Sequence, residues 1–294
     1  MPEQLRVAVT GGSGNVGKWL VRCLLERGHR VVNLDRTSAA DERAQFVQCD
    51  IRDRAAIEPV LRECDSVCHL AEIPTSSAPF PKEEIFANNT RAASVILQTA
   101  AELKLRHAVY ASTCQVYGSW GEHRVAPLRL PIDESCPVNP RNVYAASKVA
   151  NEVFARYLSQ RENFGISVVR FPGIVASKEK EEGLWRFAQW DGEVSDGLCT
   201  IVHASDLARG IASAVETSRP GFEIYNLGAE DILSVAPLKE RLERHHRDFP
   251  PLPADWPPLK SPLIIEKAER FLGWRPLWSF AKYLRERDSR DQVR

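Results

Sequence analysis

No apolar run in this 294-residue chain approaches the ~20 residues that a membrane-crossing helix needs. No charge of one sign dominates: 39 basic residues balance 39 acidic ones. No basic stripe carries interleaved aromatics, so nucleic-acid binding is not expected. The short charged run from Lys178 to Glu182 reads as a solvated loop. No signal-peptide pattern precedes the first strand-like segment, Leu5–Thr10, so a cytoplasmic protein without a membrane partner is expected. A disulfide framework is missing as well. Cys23, Cys49, Cys64, Cys68, Cys114, Cys136 and Cys199 are an odd, scattered set that reads as free thiols. Cys64 and Cys68 have no common zinc spacing and no histidine pair completes a site. They read as core-facing, and no metal is expected. No internal repeat is visible.

What is present is a core-forming α/β pattern, with 44% hydrophobic residues. Short apolar runs predict strands at Leu5–Thr10, Arg30–Asp35, Gln45–Asp50, Ser66–Ala71, His107–Thr113 and Ile166–Phe171, with a later strand at Glu223–Leu227. Their near-unbroken apolar character suits parallel strands covered on both faces. Helical patterns lie between them at Val16–Arg27, Arg54–Glu63, Glu83–Leu103 and Val143–Asn163. This alternation predicts a doubly wound parallel sheet. After Pro172 the pattern loosens. The division expected is a nucleotide-binding domain over 1–172 and a mixed region over 173–294. In the latter, 173–200 and 228–280 form a small substrate lobe, while a strand and helix in 201–227 return to the sheet. The proline-rich stretch Pro250–Pro262 favours extended or turn backbone. The charged tail from Lys282 onward is expected to fray.

Thr10-Gly11-Gly12-Ser13-Gly14-Asn15-Val16-Gly17 joins the first strand to the first helix. Gly11 permits a tight turn, Gly14 admits a pyrophosphate close to backbone, and Gly17 lets the helix pack closely. The helix N-terminus adds free N–H groups and a positive dipole end. Asp35 ends the second strand, where a carboxylate accepts from ribose hydroxyls and repels a 2′-phosphate. That favours NAD, while the adjacent Arg36 keeps NADP open. Asp50 is placed either to reach the adenine or to cap the helix beginning near Arg52.

Tyr144-Ala145-Ala146-Ser147-Lys148 opens a long helical pattern. Positions i and i+4 share a face, so Lys148 can sit beneath Tyr144 and a cofactor ribose. An ammonium and an oxidised nicotinamide nearby would lower the tyrosine pKa and fit it for general acid–base work.

In order and spacing, over nearly the whole chain, the sequence resembles an extended short-chain dehydrogenase/reductase of the NAD-dependent epimerase/dehydratase family. The landmarks are Thr10 to Gly17, Asp35, Asp50-Ile51, His69-Leu70-Ala71, Asn89, Ser112-Thr113, Val116-Tyr117-Gly118 and Tyr144 to Lys148. Val202-His203, Asp206, Tyr225 to Gly228 and Leu272 to Pro276 follow. The resemblance implies a Rossmann-type doubly wound parallel sheet with a small C-terminal substrate lobe. It makes Tyr144 the acid/base, Lys148 its tuner and ribose anchor, Thr113 the group orienting the reacting oxygen, and Asn89 a support for Lys148. Asn15, Val16, Ile51, Leu70, Ala71 and Pro172 join the cofactor set, with Arg170 in the segment beside the nicotinamide. His69, His203 and Asp206 are expected to be structural.

Three departures from the family pattern narrow the chemistry. Sugar 4,6-dehydratases carry Asp-Glu after the catalytic Thr, whereas here Cys114 and Gln115 follow Thr113. Nucleotide-sugar enzymes of the family usually have Asn where Gly173 stands and Arg where Cys199 stands, both used for a diphosphate. Arg186, Lys178 or Lys180 could substitute. The shortened 173–200 segment carries Trp185, Phe187 and Trp190, either a wall for a sugar ring or lobe packing. The leading expectation is hydride transfer at a carbinol carbon of a small sugar or sugar acid, with Gly173 beside the substrate. Alternatives are a nucleotide-sugar epimerase holding NAD, and a non-catalytic cofactor sensor, against which intact Thr113, Tyr144 and Lys148 argue. The family likeness also implies a homodimer through the helices at Glu83–Leu103 and Val143–Asn163.

Overall fold

The computed structural model describes residues 3–38, 41–74, 79–121, 123–177, 183–184 and 198–291. The chain runs β1 (Arg6–Thr10), α1 (Gly17–Glu26), β2 (Arg30–Asp35), β3 (Gln45–Gln48), α2 (Arg54–Leu61), β4 (Ser66–His69), α3 (Lys82–Glu102) and β5 (His107–Ala111). A 3-10 turn (Cys114–Tyr117) precedes α4 (Val143–Glu162), β6 (Ile166–Arg170), β7 (Gly173–Val175), β8 (Ile201–His203), α5 (Ala204–Thr217) and β9 (Phe222–Asn226). Three helices close the chain: α6 (Leu238–His245), α7 (Glu266–Leu272) and α8 (Phe280–Asp291).

Seven strands form one sheet in the order β3-β2-β1-β4-β5-β6-β9, every pair parallel. The order reverses between β1 and β4, which opens a crevice at the C-terminal ends of those strands. Alternation along β1 shows why both faces are covered. Val7 and Val9 pack with Leu20, Leu24, Ile211 and Val215 of α1 and α5. Ala8 packs with Ile57, Leu97 and Leu158 of α2, α3 and α4. Each large aliphatic chain so buried contributes about 1.5–3 kcal/mol. Cys64 and Cys68 are buried in these two layers, and all seven cysteines are free.

β1 and β2 end at Thr10 and Asp35 as expected, whereas β3, β4, β5, β6 and β9 stop one or two residues earlier than their apolar runs. Leu70 and Ala71 leave β4 and turn their N–H groups toward the Thr10 hydroxyl, 3.2 and 3.4 Å away. The apolar run thus continues past the ladder and becomes the wall of the crevice.

A third cluster differs from the expected division at Pro172. Cys114, Trp120, Leu130 and Ile132, from the connection between β5 and α4, pack with Leu198, Cys199, Ile232, Leu238 and Leu263. Ile132 is bonded on both sides, its N–H to Pro262 O and its carbonyl from Ile264 N, each at 2.8 Å. The 114–136 connection is too long for an ordinary strand-to-helix turn and carries its own apolar residues, which pack into this cluster. β7 and β8 pair in parallel beside it. The tail expected to fray from Lys282 is instead helical, in α8, as far as Asp291 among the described residues. The Asp231 carboxylate accepts from Phe280 N and Ala281 N at 3.1 and 2.8 Å, capping that helix from a distant loop.

Candidate active site

The glycine turn closes against β2 and the β4 exit. Gly11 has φ +71° and donates to Leu34 O at 3.0 Å. A Cβ there would lie 2.8 Å from Ala71 Cα, so only glycine fits. A Cβ on Gly17 would lie 2.6 Å from Gly12 Cα; its role is to let α1 begin directly on the turn. At Gly14 the added atom would meet only Gly11 O, at 3.2 Å, which leaves its outer side open.

That side faces a cleft of about 310 Å³ whose walls include Gly11, Gly14, Asp35, Arg36, Asp50, Ile51, Leu70 and Ala71. Eight of the expected cofactor residues therefore share one cavity. Asn15 is exposed, Val16 packs on the core, and Gly17 and Pro172 are buried; none of the four is part of that wall. Asp35 is fixed by Ser13 N at 3.0 Å and Arg36 N at 2.7 Å. Asp50 is held by Arg52, whose Nη2 donates at 2.5 Å, and this pairing draws its carboxyl down to about 2. Of the two alternatives for Asp50, the helix cap is made by Asp53, which accepts from Ala55 N at 3.0 Å.

Tyr144 and Lys148 occupy the first turns of α4. Asn142 caps that helix by accepting from Ala145 N at 2.8 Å. Deeper in the helix, Glu152 accepts from Arg170 at 3.0 and 2.6 Å and from Ser112 Oγ at 2.5 Å. This buried network pins α4 to β5 and β6. Lys148 Nζ donates to Ala111 O at 2.5 Å and stands 5.4 Å from the Tyr144 ring centre. Burial pulls the ammonium down to about 7, with Glu152 opposing.

Glu72 completes the cluster. Its Oε1 accepts from the Tyr144 hydroxyl at 2.6 Å, and its Oε2 is ion-paired with Lys148 Nζ. Glu72 is not among the site residues expected from the sequence. Its signal was a carboxylate placed directly after the apolar run His69-Leu70-Ala71. Tyr144 also behaves differently from expectation. Burial pushes its hydroxyl well above the ordinary phenol range, with Tyr110 adding to the effect. The expected lowering requires a cationic ring at the site, beyond what the ammonium supplies.

Thr113 is buried just beyond β5, and its Oγ1 accepts from Gln115 N at 3.2 Å. A hydroxyl that accepts one bond keeps its own proton to donate. Asn89 clamps the Ile73 backbone, accepting its N–H at 2.8 Å and donating to its carbonyl at 3.0 Å. It reaches Ser147 Oγ at 3.4 Å, next to Lys148 in sequence, so the expected support is indirect. His69 Nδ1 lies 2.7 Å from Thr10 Oγ1, and burial pushes the ring down to about 3, a neutral structural histidine. His203 caps α5, while Asp206 holds the backbone of Leu277 and Trp278.

The departures also have structural consequences. Cys114 is fully buried in the third cluster, and burial pushes its thiol far up. Gln115 Oε1 accepts from Asn142 Nδ2 at 2.8 Å. Gly173 is exposed on β7 and Cys199 is buried with φ +55°. Lys178, Lys180, Trp185, Arg186, Phe187 and Trp190 lie outside the described residues. Among the described residues no group of His, Cys, Asp and Glu is arranged for a metal, and no helix is long and apolar enough to cross a membrane.

A doubly wound sheet, a glycine turn at its switch point and a buried tyrosine–lysine pair joined to the cleft wall through Glu72 define a dinucleotide-dependent enzyme of the short-chain dehydrogenase/reductase type. Comparison with known proteins carries this further. A model of the NAD dependent epimerase/dehydratase family matches residues 7–190. UDP-glucose 4-epimerase 2 of Arabidopsis thaliana is 26% identical, over 94% of both chains. The dTDP-D-glucose 4,6-dehydratase of Homo sapiens is 26% identical over 92% of this chain and 85% of its own. The crystal structure of DesIV, a dTDP-glucose 4,6-dehydratase from Streptomyces venezuelae with NAD and TYD bound, superposes with a TM-score of 0.68. It is 27% identical and covers 95% of this chain and 94% of its own. The chain belongs to the NAD-dependent epimerase/dehydratase family, and NAD is its cofactor. The open side of Gly14, the turn beneath it and the Asp35 carboxylate fit that group.

Proposed function

We propose that this protein catalyses NAD-dependent oxidation, or the reverse reduction, at a carbinol carbon of a small sugar or sugar acid. The observation that carries the reading is the pair after Thr113. A buried thiol held protonated and a carboxamide tied to Asn142 cannot serve as the acid and base that elimination of water needs. Gly173 and Cys199 bring neither a side-chain amide nor a cation to a diphosphate, which favours a substrate without one.

NAD, when bound, supplies the hydride acceptor. In this reading Tyr144 takes the hydroxyl proton of the substrate, Thr113 orients that oxygen, and Lys148 anchors the cofactor ribose and favours the phenolate. Asn89 steadies the segment beneath them, and Asp35 accepts from the adenosine ribose. Asp50 and Ile51 flank the adenine side, Leu70 and Ala71 line the channel, and Gly173 borders the substrate. Reduced-cofactor absorbance, followed with NAD and a panel of free sugars and sugar acids, tests the proposal. Turnover of one panel member supports it. No turnover, together with tight binding of a nucleotide sugar, contradicts it.

A second reading, nucleotide-sugar epimerisation with retained NAD, is supported by the similarity to UDP-glucose 4-epimerase 2. Interconversion of a nucleotide-sugar pair without added cofactor would decide for it. The proposal includes a homodimer through α3 and α4, where Phe86, Val153 and Tyr157 are 38%, 64% and 54% exposed. Free thiols support a cytoplasmic location.

A further inference from the structure

Glu72 makes two contacts that the reaction scheme above does not use. One carboxylate oxygen receives the Tyr144 hydroxyl and the other pairs with the Lys148 ammonium. Tyr144 is 5% exposed and Lys148 2%, whereas the Glu72 side chain is 18% exposed and forms part of the cofactor cleft wall. The surrounding groups do not compete for these positions. Glu152, on α4, is committed to Arg170 and Ser112. Tyr110, on β5, accepts from Asn151 Nδ2 at 2.8 Å. His69, on β4, is neutral and turned to Thr10. Among the described residues, Lys148 has its ion pair with Glu72.

The two groups that Glu72 engages are those that face the substrate oxygen and the cofactor ribose in the proposed reaction. A carboxylate bonded to both takes up the directions that ribose and substrate hydroxyls need. We propose that Glu72 is a positioning residue that holds Tyr144 as a phenol and Lys148 as an ammonium in the cofactor-free chain, and that its side chain swings aside when NAD binds. The inference rests on the assignment of this cleft to NAD. The backbone gives the movement a fixed pivot. Asn89 holds Ile73 through both its N–H and its carbonyl, so the change is confined to the Glu72 side chain, on the cleft side.

The consequence is measurable without a substrate. If the binding-competent form is the one with Glu72 withdrawn, apparent affinity for NAD is reduced by the fraction of chains in that form. A charge-assisted hydrogen bond and an ion pair are strong enough to keep that fraction at about one tenth or lower. The test is a calorimetric titration of NAD into wild-type, E72Q and E72A protein at about pH 6, below the value of about 7 to which burial pulls Lys148. E72A should bind about ten- to hundredfold more tightly than wild type. E72Q keeps an acceptor for Tyr144 but loses the charge, and should gain at least about threefold. Equal or weaker binding by E72A would overturn the proposal, the weaker case making Glu72 a cofactor ligand instead. Should E72A not fold, the isosteric E72Q decides alone, and no gain in affinity refutes the displacement. Failure of all three proteins, wild type included, to bind NAD would refute the cleft assignment itself, and the proposal with it.

Discussion

Replacing Glu152 with alanine should destabilise the protein more than any exposed substitution on α4. Glu152 accepts two bonds from Arg170 and one from Ser112, and the Arg170 and Glu152 side chains are 4% and 7% exposed. Removing the carboxylate leaves a guanidinium buried without its counter-charge. Breaking a buried pair from one side costs about 3–5 kcal/mol. Arg170 would keep its stacking on the Tyr117 ring, 4.8 Å away, which does not replace a carboxylate. The companion substitution Arg170→Met in the same chain removes the stranded charge. The double variant E152A/R170M should recover at least about half of the loss, because two large desolvation penalties disappear together. Urea unfolding followed by far-ultraviolet circular dichroism gives the three stabilities, and the cycle gives the coupling. A loss below about 1 kcal/mol for E152A, or a double variant no better than the single one, would refute the reasoning. The result matters for function because this network sets the position of the helix that carries Tyr144 and Lys148.

Two further outcomes follow from the structure. Burial pushes His107 down from 6.5 to about 4, so the folded state holds the neutral ring while the unfolded chain takes up a proton. The stabilisation is therefore complete above about pH 6.5 and is lost as pH falls toward 4, by up to about 3 kcal/mol. His107→Gln should flatten the acid side of a stability-versus-pH curve, and an unaltered slope would contradict the assignment. At the other end of the cleft, Asp35→Ser keeps an acceptor for Ser13 N–H, removes the negative charge and leaves Arg36 in place. The ratio of NADP to NAD affinity should rise about tenfold or more, and an unchanged ratio would remove Asp35 from ribose recognition.

Much of the fold was legible because its signals are local. β1 shows it best: Val7, Ala8 and Val9 must bury on alternate faces, and helices on both sides follow from that. The glycine spacing, Asp35 and the Tyr144–Lys148 pair were legible for the same reason, since each is a backbone or helix-face requirement written in consecutive residues. What was not legible depends on partners distant in sequence. The Asp231 cap on α8 comes from 49 residues away. Glu72 meets Tyr144 across 72 residues, and nothing in the neighbourhood of either announces the other. Leu130 and Ile132 flank a proline in a stretch without helical or strand periodicity, and they cluster with Leu263 and Ile232 about 100 or more residues away. Asp50 and Asp53 were both within reach of the same helix end, and the adjacent Arg52 side chain decided between them.

The central claim is that Tyr144 moves the proton when hydride passes between substrate and NAD. It is tested most directly by comparing Y144F with wild type, first in NAD binding and then in reduction of NAD by the sugar or sugar acid that wild type turns over. Binding should stay within about threefold, because only one hydroxyl is lost. The rate of NADH appearance should fall at least about 100-fold, the lower end of what a positioned acid–base group supplies. A Y144F enzyme that binds NAD and reduces it at the wild-type rate would contradict the account.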